Sequence, residues 1–170
     1  ELGINSEIAH YFANVRKVPA DNLFWKNKRI YISIGFGYLT IPLMFDLVHK
    51  CGVPVSMLLQ DAHITLMEKG FDRLKRYENN EISFPEFLTA CKMLVQDNIK
   101  QPHLAADLFA VFAGEETQYF QFETKHKALA RSDSFLFTIV DLELSDDWVH
   151  DFLPVWYSLA RPILLLDDFK

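Results

Sequence analysis

The segment from Ser145 to Asp168, SDDWVHDFLPVWYSLARPILLLDD, decides the fold class of this chain. Ser145-Asp146-Asp147 is a favourable helix start, because serine caps backbone N–H groups and acids suit the positive end of the helix dipole. Apolar residues then return every three or four positions, which is the spacing of one helix face. Pro154 and Pro162 interrupt this face, so we expect either a kinked helix or two abutting helices. The predicted buried face consists of Trp148, Phe152, Val155, Trp156, Leu159, Ile163 and Leu166.

The rest of the chain repeats this helical spacing and offers helix boundaries between the repeats. Asn5 or Ser6 suits the cap of a first helix, and Ser83-Phe84-Pro85-Glu86 has the pattern of a capping box. Gly52 and Gly114 are placed to end helices. No series of alternating strands and no internal repeat is present. We therefore predict an all-α, single-domain bundle of about seven helices. The other apolar helical segments are Ile8–Val15, Leu39–Lys50, Val55–Leu74, Phe87–Val95, Leu104–Phe112 and Glu115–Arg131.

Length and composition exclude several classes of protein. The 170 residues suit one domain, 1–170, whether or not the native chain continues past Lys170. Half of the residues are hydrophobic, which is too many for a disordered chain, and the net charge of −6 lacks the basic footprint of a nucleic-acid binder. Cys51 and Cys91 form no CxxC pair, which argues against a cysteine zinc site. The uncharged run Ile30–Phe45 is shorter than the roughly 20 residues of a membrane span, and no signal peptide opens the chain, so we expect a cytoplasmic protein without a transmembrane segment.

Two adjacent carboxylates, Asp167 and Asp168, close the long apolar run. Charge beside a buried helix face is unfavourable unless it is solvated or paired. Magnesium prefers carboxylate oxygens and completes its shell with water and substrate phosphates, so the pair is a candidate Mg²⁺ site. The alternative is a solvated acidic helix end, since adjacent residues do not share one face of a helix.

The segment from Leu159 to Asp168, LARPILLLDD, resembles the second aspartate-rich helix of the trans-prenyltransferases, the isoprenyl diphosphate synthases. The pattern of that family is L-G-x-A-F-Q-x-x-D-D-x-x-D. The leucine and both aspartates keep register, Ala160 stands for the glycine, and Leu164 replaces the glutamine. Upstream the family has a tyrosine followed by a Lys-Thr-x-x-Leu-Phe helix, and this chain offers Tyr119 and then Lys127, forty residues before Asp167.

The resemblance implies an isoprenoid-synthase-like fold that binds a prenyl diphosphate through Mg²⁺. Asp167 and Asp168 would be metal ligands and Lys127 a contact to the diphosphate. No D-D-x-x-D precedes these motifs, nor does the family's arginine pair. The chain would then be a partial, diverged or inactive member of the family, and if active it would resemble a prenyltransferase or terpene synthase.

A second hypothesis rests on two E-x-x-H pairs, Glu7 with His10 and Glu123 with His126. This spacing places a carboxylate and an imidazole on one helix face, as in dinuclear iron sites of four-helix bundles. Glu68 is a candidate for one of the further glutamates that such a site needs. The alternative cofactor is therefore iron. The third hypothesis is a non-enzymatic helical interaction domain, which the missing first aspartate motif favours.

Overall fold

The computed structural model describes residues 3–16, 37–117 and 132–168, of which 37–40 and 163–168 are described as backbone only. In these ranges every regular element is a helix, so the predicted all-α class is confirmed. No described helix combines the length and the apolar character that a bilayer crossing would need. The residues cluster into two compact units, Glu1–Ile82 and Ser83–Lys170, which are described one at a time. The expectation of one domain stays a prediction.

The first unit begins with α1 (Ser6–His10), which continues as a π-helical turn over Tyr11–Val15. The predicted cap is Asn5, whose side chain accepts hydrogen bonds from the N–H groups of Glu7 and Ile8 at 2.9 and 3.3 Å. Asn5 also donates its own backbone N–H to Asp46 at 2.7 Å, which joins the start of α1 to the helix Gly37–Lys50. A local cap and a tertiary contact therefore share one residue.

The described residues of the first unit contain three more helices, α2 (Gly37–Lys50), α3 (Val55–Leu58) and α4 (Asp61–Glu78). The sequence predicted one helix from Val55 to Leu74, and this prediction is wrong. Gln60 is extended, with ψ 134°, so a new helix starts at Asp61. The apolar spacing continues across the break because Leu58 and Ile64 are both buried, and periodicity alone therefore hides it. The buried apolar residues are Ile8, Phe12, Ile41, Phe45, Val48, Val53, Leu58, Ile64, Met67, Phe71 and Leu74.

The second unit contains α5 (Phe84–Val95), α6 (Pro102–Ala113) and a 3₁₀ helix, Phe135–Ile139. The predicted capping box is present, because Ser83 accepts from the Glu86 N–H while Glu86 accepts from the Ser83 N–H at 2.7 Å. Gly114 ends α6 in the left-handed region with φ 80°, as its position predicted. Residues 115–117 are not helical, so the helix predicted to start at Glu115 does not begin there.

The last element is α7, Asp146–Asp168, and it is one helix rather than two. The Ser145 hydroxyl accepts the Trp148 N–H at 3.1 Å, as the helix-start pattern predicted. Pro154 and Pro162 are exposed, where carbonyls that lose a helical partner can bind water. Phe152 and Trp156 are buried, with ring centroids 6.0 Å apart. The buried apolar residues of this unit are Phe87, Cys91, Val95, Leu104, Ala105, Leu108, Phe135, Leu136, Phe137, Ile139, Val140, Leu142, Val149, Phe152, Leu153 and Trp156.

Candidate functional site

A cluster of polar side chains in the described part of the second unit lies where α7 meets residues 132–134, directly before the 3₁₀ helix. Arg161 on α7 donates Nε–H and Nη2–H to the two carboxylate oxygens of Asp133, at 3.2 and 2.7 Å. The Asp133 side chain has 0% exposure and that of Arg161 only 13%. Such a fork is the geometry in which arginine binds a carboxylate most specifically. The pair therefore fixes both the position and the rotation of α7 against this segment.

Tyr157 completes the surroundings of the guanidinium group. The carbon at the centre of the Arg161 guanidinium lies 3.8 Å from the Tyr157 ring centroid, one helical turn back along α7. The guanidinium thus has an aromatic ring as well as a carboxylate to hold it. We name Asp133, Tyr157 and Arg161 the α7 anchor.

Burial changes the acid–base behaviour of the α7 anchor. Desolvation raises the pKa of Asp133 to about 6, and the hydrogen bonds and positive charge of Arg161 oppose that rise. Desolvation also raises the pKa of the Tyr157 hydroxyl, and the negative charges of Asp133 and Asp107 add to this effect. Asp107 on α6 is itself buried. The anchor therefore lies in a low-dielectric environment where charge has to be matched.

A buried polar atom next to the α7 anchor, the Ser132 Oγ, has no hydrogen-bond partner among the residues that the structure describes. Ser132 is fully buried, and its Oγ is unsatisfied. A hydroxyl left unpaired away from water is unfavourable by roughly 1–3 kcal/mol. The polar chemistry around Asp133 is therefore not entirely matched by the described residues.

The structure describes the predicted acid pair as backbone. Asp167 and Asp168 form the last residues of α7. At about 100° per residue, Asp168 falls between Tyr157 and Arg161 in angular position, and about two turns beyond Arg161. Asp168 therefore falls on the same face of α7 as Tyr157 and Arg161. The predicted diphosphate contact, Lys127, lies outside the described residues.

The donor chemistry of the acid pair fits magnesium. Carboxylate oxygens are hard ligands, and Mg²⁺ usually takes only one or two of them before water and phosphate oxygens complete its shell. The side chains of residues 41–117 and 132–162, by comparison, include no group of three or more His, Cys, Asp and Glu residues arranged to hold a metal.

The residues of the iron hypothesis are only partly described. Glu7 and His10 are exposed on α1, and His10 lies 3.2 Å from the Asn14 amide. Glu68 is buried, and both of its oxygens accept from Arg16, at 2.8 and 2.6 Å. The structure does not bring Glu7, His10 and Glu68 together as a metal-binding group. Glu123 and His126 lie outside the described residues.

Sequence reasoning missed the α7 anchor. Arg161 lies within an apolar stretch and Asp133 at the edge of one, and a charged residue at such a position is buried only when it is paired. That signal was present, but nothing in the sequence joins two charges 28 residues apart. Leu159, which was predicted to be buried, is instead 49% exposed.

Comparisons with known proteins identify no relative of this chain. No protein-family model, no curated protein and no solved structure matches this chain.

Proposed function

We propose that this chain binds an isoprenoid diphosphate through Mg²⁺ at the C-terminal end of α7. Asp167 and Asp168 are the metal ligands, and Lys127 contacts the diphosphate. The proposal concerns binding, because ionisation of such a ligand in the trans-prenyltransferases uses carboxylates on both sides of the cavity, and no D-D-x-x-D occurs in this sequence. The apolar helix faces would shelter the prenyl chain from water.

The observation that carries the proposal is the register of α7. The helix continues through Asp168, and that residue falls on the face that binds the interior of the unit through Arg161. A ligand held by Asp168 would therefore be bound on the same side of α7 as the Asp133–Arg161 ion pair.

A second observation concerns the distance along the chain between the two halves of the predicted site. Lys127 precedes Asp133 by six residues, and Arg161 precedes Asp167 by six. The ion pair joins Asp133 to Arg161. The lysine and the acid pair are therefore each six residues along the chain from one member of the ion pair.

Calorimetric titration with geranylgeranyl diphosphate tests the proposal. With Mg²⁺ present we expect saturable binding with a micromolar dissociation constant, and with EDTA we expect none. Asp168→Asn should weaken binding at least tenfold, because it removes a carboxylate charge while keeping the shape. Asp151→Asn is the matched control, since Asp151 is exposed on the same helix and should leave binding unchanged. Absence of Mg²⁺-dependent binding in the unmodified chain would overturn the proposal and favour a helical interaction domain.

A further inference from the structure

Residues 3–5 of the first unit are held against the C-terminal end of α2 by polar contacts. The backbone N–H of Asn5 donates to Asp46 at 2.7 Å, and the side-chain amide nitrogen of Asn5 lies 3.3 Å from Nε2 of His49. Lys50 adds a third contact, from its ammonium group to a backbone carbonyl oxygen of the segment, at 3.3 Å. The segment that leads into α1 therefore depends for its position on the last turn of α2.

The cap of α1 decides which atom of the Asn5 side chain faces the histidine. The Asn5 Oδ1 accepts the backbone N–H groups of Glu7 and Ile8, at 2.9 and 3.3 Å. An amide oxygen can only accept and an amide nitrogen can only donate, so the group that faces His49 is the Nδ2 donor. Turning the amide over would present the oxygen to His49 but would remove the cap of α1.

The two hydrogen-bond partners of His49 together select one protonation state of its ring. Nδ1 lies 2.9 Å from the carbonyl oxygen of Val53, which can only accept, so the hydrogen is on Nδ1. Nε2 faces the Nδ2 donor of Asn5 and therefore has to accept. Only the neutral imidazole with its hydrogen on Nδ1 meets both conditions. A charged ring would have a second N–H, at Nε2, pointing at the N–H groups of the Asn5 amide.

We propose that His49 is a pH-sensitive latch, which holds residues 3–5 on α2 while its imidazole is neutral and releases them when the imidazole is protonated. Histidine gains its charge between about pH 8 and pH 5, so the segment is docked at the higher pH and is released as the pH falls. Ile8 and Phe12 remain buried, and the Phe12 ring lies 5.3 Å from that of Phe45. The release is therefore limited to the residues before α1.

Neighbouring charges near His49 oppose one another. Asp46 lies one turn before His49 on α2 and would stabilise a charged ring, but its other oxygen pairs with the ammonium group of Lys50 at 2.6 Å. The α3 helix contains no titratable residue. The other titratable residues on the described segments next to this end of α2 are Glu7, His10, Tyr11, Cys51 and His63. The change in hydrogen bonding at Nε2 therefore sets the direction of the response.

Amide hydrogen exchange measured by NMR on the whole chain tests the latch. Results are expressed as protection factors, which remove the intrinsic effect of pH on exchange. Between pH 8 and pH 5 we expect the protection of the Asn5 N–H to fall about fivefold, as the loss of one hydrogen bond would cause. The N–H of Met67, which is buried on α4, serves as the reference for the folded unit. Constant protection of Asn5 across this pH range would overturn the inference.

A variant at the histidine identifies the group that responds. His49→Gln cannot become charged, so the protection of the Asn5 N–H should no longer depend on pH. His10→Gln is the matched control, because His10 is an exposed histidine that also lies beside a side-chain amide, that of Asn14, at 3.2 Å. This control should keep the fall that the unmodified chain shows. An equal fall in His49→Gln would mean that another group responds and that the inference is wrong.

A variant at the asparagine tests the same contact and covers the case in which His49→Gln does not fold. Asn5→Asp keeps an oxygen for the cap of α1 but replaces the donor that faces His49 with an acceptor. The charged ring then becomes the favoured partner, so the protection of this backbone N–H should rise as the pH falls from 8 to 5. A fall like that of the unmodified chain would show that the donor on Asn5 does not control the response, which would also overturn the inference.

Discussion

Among the described residues, each unit contains one arginine–carboxylate fork, and the two forks differ in what surrounds them. In the first unit Arg16 binds Glu68 at 2.8 and 2.6 Å, and in the second Arg161 binds Asp133 at 3.2 and 2.7 Å. The exposure of the arginine side chain is 21% in the first and 13% in the second, and that of the carboxylate is 4% and 0%. Similar hydrogen bonds thus operate in different dielectric environments.

The difference appears in the acid–base properties of the two pairs. In the first unit, hydrogen bonding to Glu68 raises the pKa of Arg16, which is the ordinary result of a favourable pair. In the second, burial raises the pKa of Asp133 in spite of its arginine. Glutamate also has one more methylene than aspartate, so its carboxylate can turn toward water more easily. The comparison indicates that the buried Asp133 carboxylate depends more on its arginine than the Glu68 carboxylate does.

The largest expected effect is the loss of the arginine from the buried fork. Arg161→Met leaves the Asp133 carboxylate in the interior without a counter-charge, and we expect a loss of about 4 kcal/mol in the free energy of unfolding. Urea denaturation followed by circular dichroism measures it. Arg161→Met combined with Asp133→Leu should recover most of the loss, because no charge is then left buried. A loss under about 1 kcal/mol for the single variant would place the pair in the class of surface ion pairs.

The next effect is the pH dependence that the buried aspartate introduces. A carboxyl whose pKa rises from an ordinary 3.8 to about 6 on folding binds its proton more tightly in the folded state. The stability that this group contributes is therefore present below about pH 4 and is lost as the pH rises through 6. The free energy of unfolding falls by about 3 kcal/mol in total over this range.

Denaturation at pH 4 and at pH 7 measures this change in the free energy of unfolding. Other groups add their own pH dependence, so the decisive quantity is the difference between the unmodified chain and Asp133→Asn, which lacks the titrating group. If the two chains change stability in parallel between these pH values, the buried position of Asp133 does not control its protonation.

Loss of the arginine from the fork of the first unit should also lower the free energy of unfolding, but by less. Arg16→Met is expected to lower the free energy of unfolding by about 2 kcal/mol, since the longer glutamate side chain can recover some hydration. The same urea titration measures it, with Lys69→Met on the exposed side of α4 as a control for the lost surface charge. A loss equal to or greater than that of Arg161→Met would mean that burial does not distinguish the two pairs.

The smallest expected effect comes from a purely local contact in the second unit. Ser83→Ala removes the side-chain half of the capping box at the start of α5, and we expect a loss of about 1 kcal/mol. Because Ser83 is exposed and its partner Glu86 is three residues away, no tertiary rearrangement should follow. A thermal melt of Ser83→Thr, which keeps the hydroxyl, should resemble that of the unmodified chain. A loss as large as that of Arg161→Met would show that the cap also affects the tertiary packing of the unit.

The local features were the ones that the sequence predicted well. Asn5, Ser83, Gly114 and Ser145 each act within a few residues, so their chemistry and their partners appear together in the sequence. The error at Leu59 and Gln60 has the opposite cause, because a two-residue change of backbone direction leaves the apolar spacing on either side intact.

The same contrast between local and long-range features holds at the C-terminal end of α7. The adjacent aspartates, 167 and 168, are recognisable from their chemistry and spacing, and their place at the end of α7 agrees with the helix that the pattern predicts. The fork that anchors that helix joins residues 28 positions apart, and several other charged residues could have taken either place. Only packing selects the pair.

The sequence by itself determined the all-α class, the helix caps and the acidic end of the last helix, since each follows from interactions over four residues or fewer. Tertiary structure alone decided that Arg161 meets Asp133, that this aspartate is held away from water, and that α7 is fixed on the face leading to Asp168. The physical reason is that helical periodicity specifies which residues turn inward, whereas the partner of a buried charge is chosen by the three-dimensional arrangement of the segments that bury it.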